Sequence, residues 1–147
     1  MPLDVQQTLK KCEENGTTDS DEYKEATKVF NQHFVCRLDP LPEYLKQGQQ
    51  YKNPVVYNTM WGPSEFHVTG NLKDFDCTTQ LQNIKVPTLY TCGRYDEATP
   101  KSTEFFSSLT PNSKFHVFEK SAHMPYIEET EEFIQVVNKF LIETDEK

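Results

Sequence analysis

The order of elements in the last third of the sequence most constrains the fold. Residues 86–93 form a β-prone run that ends at a glycine, and residues 114–119 predict a second strand. Between them, Thr99 is a favourable N-cap and Pro100 a favourable first residue for a helix. A last helix is predicted to be capped by Thr130. A strand, a crossover helix and a second strand predict a right-handed βαβ unit with parallel strands.

Apolar spacing supports both of these helices. Phe105, Phe106 and Leu109 predict a buried face on the crossover helix. The last helix carries apolar residues at i, i+3, i+4, i+7 and i+8, a pattern typical of an amphipathic helix. These residues are Phe133, Val136, Val137, Phe140 and Leu141.

The first 60 residues carry helical patterns and no strand signal. A long helix is predicted over residues 19–37, with Asp19 or Ser20 as its N-cap. Two short helices are predicted near residues 43–47 and 55–61, bounded by proline or glycine. The long helix has one apolar face, which is made of Tyr23, Ala26, Val29, Phe30 and Phe34.

Composition excludes several classes of protein. The net charge is −8, from 15 Lys and Arg against 23 Asp and Glu, so a basic nucleic-acid surface is not expected. No stretch approaches the roughly 20 apolar residues that cross a bilayer, and the N-terminus lacks the pattern of a signal peptide. The cysteines form no CxxC pair and predict reduced thiols in a cytoplasmic protein without a metal site. They are Cys12, Cys36, Cys77 and Cys92.

Asp96 and His123 each follow one of the two predicted strands. Parallel strands end at the same edge of a sheet, and ligands bind beyond that edge. We therefore expect the two side chains to meet there. An aspartate beside a histidine fixes the imidazole tautomer and stabilises the imidazolium, which is the supporting part of a nucleophilic triad. The order Asp then His late in the chain is that of α/β-hydrolases.

Several segments carry a family resemblance. Residues 93–100 (GRYDEATP) and 121–123 (SAH) look like the acid and histidine motifs of the α/β-hydrolase superfamily. Residues 56–66 (VYNTMWGPSEF) and 70–76 (GNLKDFD) resemble the proline iminopeptidase family of serine peptidases. The resemblance covers nearly the whole chain.

The resemblance implies an α/β fold, namely the C-terminal part of an α/β-hydrolase preceded by a helical cap. Residues 1–62 would be the cap, and residues 63–147 the C-terminal part of the hydrolase domain. Asp96 would be the triad acid and His123 the general base. Serine hydrolysis needs no cofactor, so none is expected.

The resemblance also implies a substrate, because the family releases N-terminal residues, often proline, from short peptides. Glu65 and Glu97 match positions whose carboxylates hold the free α-amino group, and Tyr57 matches a position in the cleft. Two carboxylates near the scissile bond would select a protonated N-terminus over an internal peptide. The expected ligands are short peptides with a free N-terminus.

The sequence departs from the family in one respect, since it has no G-x-S-x-G nucleophile elbow. Ser64 and Ser121 do not have that setting, so the isolated chain is predicted to be inactive. Two alternatives stay open. The first is a non-catalytic remnant that binds peptides, or that binds a second chain which completes its sheet. The second is a fragment of a hydrolase that acts on esters or epoxides. The absence of the elbow follows from the glycines, since no two of them flank a serine at the required spacing; they are Gly16, Gly48, Gly62, Gly70 and Gly93.

Overall fold

The computed structural model describes residues 1–145 of the 147-residue chain. The chain divides into two compact units. The first unit consists of residues 1–32 and 38–76, and among the described residues the second consists of 33–37 and 77–145. Over residues 1–145, no helix has the length and apolar character needed to cross a membrane.

The first unit is helical, as its sequence patterns predict. Ser20 caps the second helix, since its Oγ accepts a hydrogen bond from the Tyr23 N–H at 3.2 Å. The first helix ends at Gly16, which adopts the left-handed conformation (φ 67°) that glycine tolerates best. The helices are α1 (Leu3–Asn15), α2 (Asp21–Phe34), α3 (Glu43–Gln50) and α4 (Pro54–Met60).

A small buried cluster where α1 meets α2 forms the core of the first unit. The Tyr23 hydroxyl donates to Glu13 Oε1 at 3.2 Å and lies 3.1 Å from Ser64 Oγ. Burial raises the pKa of the Tyr23 phenol. Phe30 packs against Phe66 with ring centroids 4.1 Å apart. The buried cluster consists of Leu9, Cys12, Tyr23 and Ala26.

The second unit confirms the predicted βαβα order with two parallel strands. Strands β1 (Thr88–Gly93) and β2 (Ser113–Phe118) pair in register, with Gly93 opposite Phe118 at their carboxyl ends. Helix α5 (Pro100–Leu109) connects them, and Thr99 caps it by accepting from the Ser102 N–H. The remaining elements are a 3₁₀ helix (Thr78–Asn83), α6 (Pro125–Glu128) and α7 (Thr130–Asp145).

The predicted buried face of α5 is wrong at Phe105 and Phe106, whereas Leu109 is half-buried. Phe105 and Phe106 are 53% and 39% exposed, while Thr103 and Ser107 are buried. The small polar residues face inward because they hydrogen-bond there: Ser107 Oγ lies 2.9 Å from the hydroxyl of Ser113 at the start of β2. Buried polar groups are nearly always hydrogen-bonded, and Thr103 meets this condition too, since its hydroxyl donates to the Ala98 carbonyl at 3.1 Å.

Two details of α7 also differ from the prediction. Leu141 is 51% exposed, and no residue of this helix is fully buried. Phe133 is half-buried and packs on Phe118, with ring centroids 5.6 Å apart. Thr130 is the first residue of the helix and not the cap before it. Its hydroxyl donates to the carbonyls of Tyr126 and Ile127.

The long helix predicted over residues 19–37 is shorter in the structure, because α2 ends at Phe34. The carbonyls of Phe34 and Val35 accept from the N–H groups of Glu97 and His123. The Arg37 N–H donates to the Glu128 carboxylate. These backbone groups therefore bond to other segments and do not continue the helix. The predicted cap boundary between residues 62 and 63 falls inside the first unit and stays a prediction.

Candidate active site

The candidate site of the second unit lies at the carboxyl ends of β1 and β2. Gly93 ends β1, and a Cβ atom at this position would lie 2.1 Å from the Ala122 carbonyl oxygen and 2.2 Å from that of Ser121. Only glycine therefore lets the loop after β2 cross the end of β1 this closely. The two loops are also joined by a hydrogen bond from the Tyr95 N–H to the Ser121 carbonyl at 3.0 Å.

This close approach brings Asp96 and His123 together. His123 Nδ1 lies 2.9 Å from Asp96 Oδ1, within hydrogen-bonding distance. The Asp96 side chain is only 4% exposed, whereas the His123 side chain is 47% exposed. The buried carboxylate thus holds one ring nitrogen, and the imidazole extends from it towards the surface.

Backbone amides hold the Asp96 carboxylate in place. Oδ1 accepts from the Ala98 N–H at 2.8 Å, and Oδ2 accepts from the Gly93 N–H at 3.4 Å. These two hydrogen bonds fix the orientation of the Asp96 carboxylate beside the imidazole. An anion at Nδ1 selects the tautomer with the proton on Nδ1, which leaves Nε2 as the basic nitrogen.

Two neighbouring glutamates hold the loop that carries His123. Glu128 Oε2 accepts from the Ala122 N–H at 2.9 Å and from the Met124 N–H at 3.3 Å. Glu129 Oε2 accepts from the Lys120 N–H at 2.9 Å and from the hydroxyl of the next residue, Ser121. No sequence pattern predicted a role for either glutamate. The only signal they give is an acidic pair directly after the short proline-initiated segment 125–127.

Residues 33–37 bridge the two loops, which the sequence did not predict. The Phe34 carbonyl accepts from the Glu97 N–H at 3.2 Å, and the Val35 carbonyl accepts from the His123 N–H at 3.1 Å. The Arg37 guanidinium lies over the Tyr95 ring, 3.8 Å from its centroid. This segment lies far from both loops in sequence, so only tertiary structure brings it to the site.

The first unit holds a second group of predicted site residues. The Tyr57 hydroxyl donates to Glu65 Oε1 at 3.2 Å, and the Lys52 ammonium lies 3.1 Å from the centroid of the Tyr57 ring. Burial lowers the pKa of Lys52, and the nearby charge of Glu65 partly offsets this. An aromatic face with a carboxylate at its edge suits an ammonium group.

Glu97 belongs to the second unit, where it is half-buried next to Asp96 in the chain. The structure therefore pairs Asp96 with His123 in one unit and Tyr57 with Glu65 in the other. The combination of Glu65 with Glu97 around one amino group stays a prediction.

Ser64 and Ser121 both form hydrogen bonds within the fold. Ser64 is buried and accepts from the His67 N–H at 3.1 Å, and Ser121 is completely buried against Glu129. Both occupy settings different from an exposed nucleophile at a strand-to-helix turn. His116 lies half-buried on β2, with Nε2 3.6 Å from Glu132 Oε1.

Comparison with known proteins places this geometry in context. The α/β-hydrolase fold family matches residues 1–130. A proline iminopeptidase of Heyndrickxia coagulans is 66% identical over 142 residues, which are 96% of this chain and 49% of that protein. The chain spans about half the length of the curated relatives it matches.

Solved structures agree in fold. The crystal structure of VinJ matches with a TM-score of 0.90 at 42% identity, covering 98% of this chain and 49% of that one. The crystal structure of a proline iminopeptidase from Mycobacterium smegmatis matches with a TM-score of 0.84 at 36% identity. It covers 99% of this chain and 49% of the other.

Proposed function

This chain belongs to the α/β-hydrolase family, and on that premise we propose that it is the C-terminal part of a proline iminopeptidase-like serine aminopeptidase. The observation that carries the proposal is the hydrogen bond between buried Asp96 and half-exposed His123 at the ends of two parallel strands. Asp96 would be the triad acid and His123 the general base.

In this mechanism His123 Nε2 takes the proton of a serine hydroxyl as the serine oxygen attacks the carbonyl carbon of the first peptide bond. The C–N bond breaks, and the imidazolium returns the proton to the departing amine. Water then hydrolyses the acyl-serine by the same route. No G-x-S-x-G elbow occurs in the 147 residues, so the serine would come from a polypeptide segment outside them.

The proposed substrates are short peptides with a free N-terminus, with proline preferred. Support comes from the relatives named as proline iminopeptidases and from the carboxylates of Glu65 and Glu97. In the first unit, the Tyr57 hydroxyl donates to Glu65 Oε1, and the ammonium of Lys52 lies over the Tyr57 ring. The Glu65 carboxylate would favour a protonated α-amino group over a neutral end.

Complementation tests the proposal. The chain is coexpressed with the segment of the Heyndrickxia coagulans relative that the chain does not match, and hydrolysis of a fluorogenic proline amide is measured. We expect activity only from the complemented pair, and none after His123→Ala. Full turnover by the isolated chain would contradict the proposal that its nucleophile lies elsewhere. A stable complex that leaves every aminoacyl amide intact would contradict the aminopeptidase assignment.

Glu65 distinguishes this proposal from an esterase or epoxide hydrolase fragment, because a neutral substrate does not need a carboxylate at its end. In the complemented enzyme, Glu65→Gln should raise KM for free prolyl amides and leave N-acetylated analogues and simple esters unchanged. Glu119→Gln, which changes an exposed surface carboxylate, is the matched control. Unchanged selectivity for free N-termini would favour the ester or epoxide alternative.

Exposed apolar side chains in the second unit favour a second candidate, a non-catalytic remnant that binds a partner chain. Ile134, Leu141 and Ile142 of α7 are 52%, 51% and 59% exposed. A chain completing the two-stranded sheet would cover such residues. Gel filtration distinguishes the candidates, since a monodisperse monomer contradicts self-association.

The cytoplasm is the proposed location, because all four cysteines are free thiols.

A further inference from the structure

Glu128 bonds to the backbone on both sides of His123. Its Oε2 accepts from the N–H groups of Ala122 and Met124, at 2.9 and 3.3 Å. Its Oε1 accepts from the Arg37 N–H at 2.7 Å. One carboxylate therefore satisfies three backbone donors from two separate segments, and hydrogen bonds to an ionised acceptor are about twice as strong as neutral ones.

The hydrogen bond from the Arg37 N–H links Glu128 to residues 33–37, and this segment also contacts both site loops. The same segment accepts from His123 through the Val35 carbonyl and from Glu97 through the Phe34 carbonyl. The acid loop and the histidine loop are thus fixed to one stretch of backbone, and Glu128 joins that stretch to the histidine loop. A change at Glu128 would shift His123 relative to Asp96.

We infer that Glu128 is a positioning residue, which sets the position of the His123 imidazole against Asp96. The inference rests on the proposed function for its catalytic meaning, but its geometry is independent of any substrate. An ordinary surface glutamate would be solvated and would bond to side chains. Glu128 is half-buried, and its three partners are all backbone N–H groups.

The side-chain chemistry predicts graded effects of substitution. In Glu128→Gln, one oxygen becomes an NH₂ group, which cannot accept from an N–H, so one side of the connection is lost. Glu128→Ala leaves all three donors without the carboxylate. Glu131→Ala is the matched control, since Glu131 is an exposed carboxylate in the first turn of α7.

The test is NMR spectroscopy of the ¹⁵N-labelled chain, which needs neither substrate nor turnover. In the wild type and in Glu131→Ala, we expect a downfield Nδ1–H resonance from the His123 hydrogen bond to Asp96. Asp96→Asn serves as the reference for its loss. Glu128→Ala should lose the resonance and exchange the amide protons of residues 122–124 at least about tenfold faster. Glu128→Gln should weaken the resonance.

Ser107→Ala separates positioning from general destabilisation, because it removes a part-buried hydrogen bond at the other end of β2. It should lower the melting temperature and keep the His123 resonance. A Glu128→Ala protein with the wild-type resonance and unchanged exchange would overturn the inference. If that variant does not fold, Glu128→Gln decides, and an unchanged resonance in it has the same meaning. A complemented enzyme without aminopeptidase activity would refute the proposed function and leave the NMR result standing.

Discussion

The two units hold their predicted site residues in different ways. In the second unit, Asp96 is buried and accepts from two backbone amides, and the loop of His123 is tied to Glu128 and to residues 33–37. In the first unit, Glu65 is exposed and accepts a hydrogen bond from the Tyr57 hydroxyl. Proton transfer needs fixed geometry, whereas binding a flexible ammonium group tolerates movement, so the contrast fits the two proposed roles.

The largest expected effect tests the rigid side of this contrast. Asp96→Asn should lower kcat of the complemented enzyme about 10⁴-fold, because an amide no longer selects the Nδ1–H tautomer. Steady-state kinetics on a prolyl amide measures it, with Glu119→Gln as the surface control. A loss of less than about tenfold would show that Asp96 does not support proton transfer by His123.

Core truncation tests whether the units are separate. Phe118 is completely buried, so Phe118→Ala should lower the free energy of unfolding by about 3–5 kcal/mol. Leu9→Ala in the first unit should cost about 2–5 kcal/mol. Hydrogen exchange should accelerate chiefly in the unit that carries each change. Phe105→Ala, at a 53% exposed residue, should stay within about 0.5 kcal/mol. Equal acceleration in both units would contradict the division.

A glycine substitution sharpens the comparison at single-residue scale. Gly93→Ala should cost about 1–3 kcal/mol and displace His123, because the added methyl group would overlap the carbonyls of Ser121 and Ala122. Gly48→Ala is the control, since its Cβ would meet no atom within 4 Å, and alanine in a helix should stabilise by about 0.5–1 kcal/mol. Urea unfolding measures both, and equal changes would contradict the close approach at Gly93.

The smallest expected effect concerns the Arg94–Glu119 pair beside the site loops. The guanidinium donates to both carboxylate oxygens, at 2.8 and 2.6 Å, and lowers the pKa of Glu119. Because the folded pKa is depressed, the pair stabilises the protein above the unfolded pKa of Glu119. This contribution is lost as the pH falls through the lower, folded pKa. Melting temperatures from about pH 7 to about pH 3 should show a slightly weaker acid dependence in Arg94→Gln. An identical profile would show that the exposed pair contributes nothing.

Local sequence signals predicted the elements but not every face. Ser20 and Thr99 cap their helices as predicted, because capping depends only on a side chain and the next few amides. Phe105 and Phe106 are exposed, since the buried side of α5 is set by the hydrogen bonds of Ser107 and the strands beneath it. Burial depends on what packs against a helix, which spacing alone does not contain.

The sequence by itself determined the βαβα order, the parallel strands and the meeting of Asp96 with His123. Parallel strands end at a common edge, so residues a few positions beyond each strand must approach one another. Only tertiary structure decided that α2 stops at Phe34 and that residues 33–37 bridge the two loops. The same holds for the position of Glu128. These contacts join segments as many as 91 residues apart, and each uses at least one backbone N–H or carbonyl group, which no sequence pattern marks.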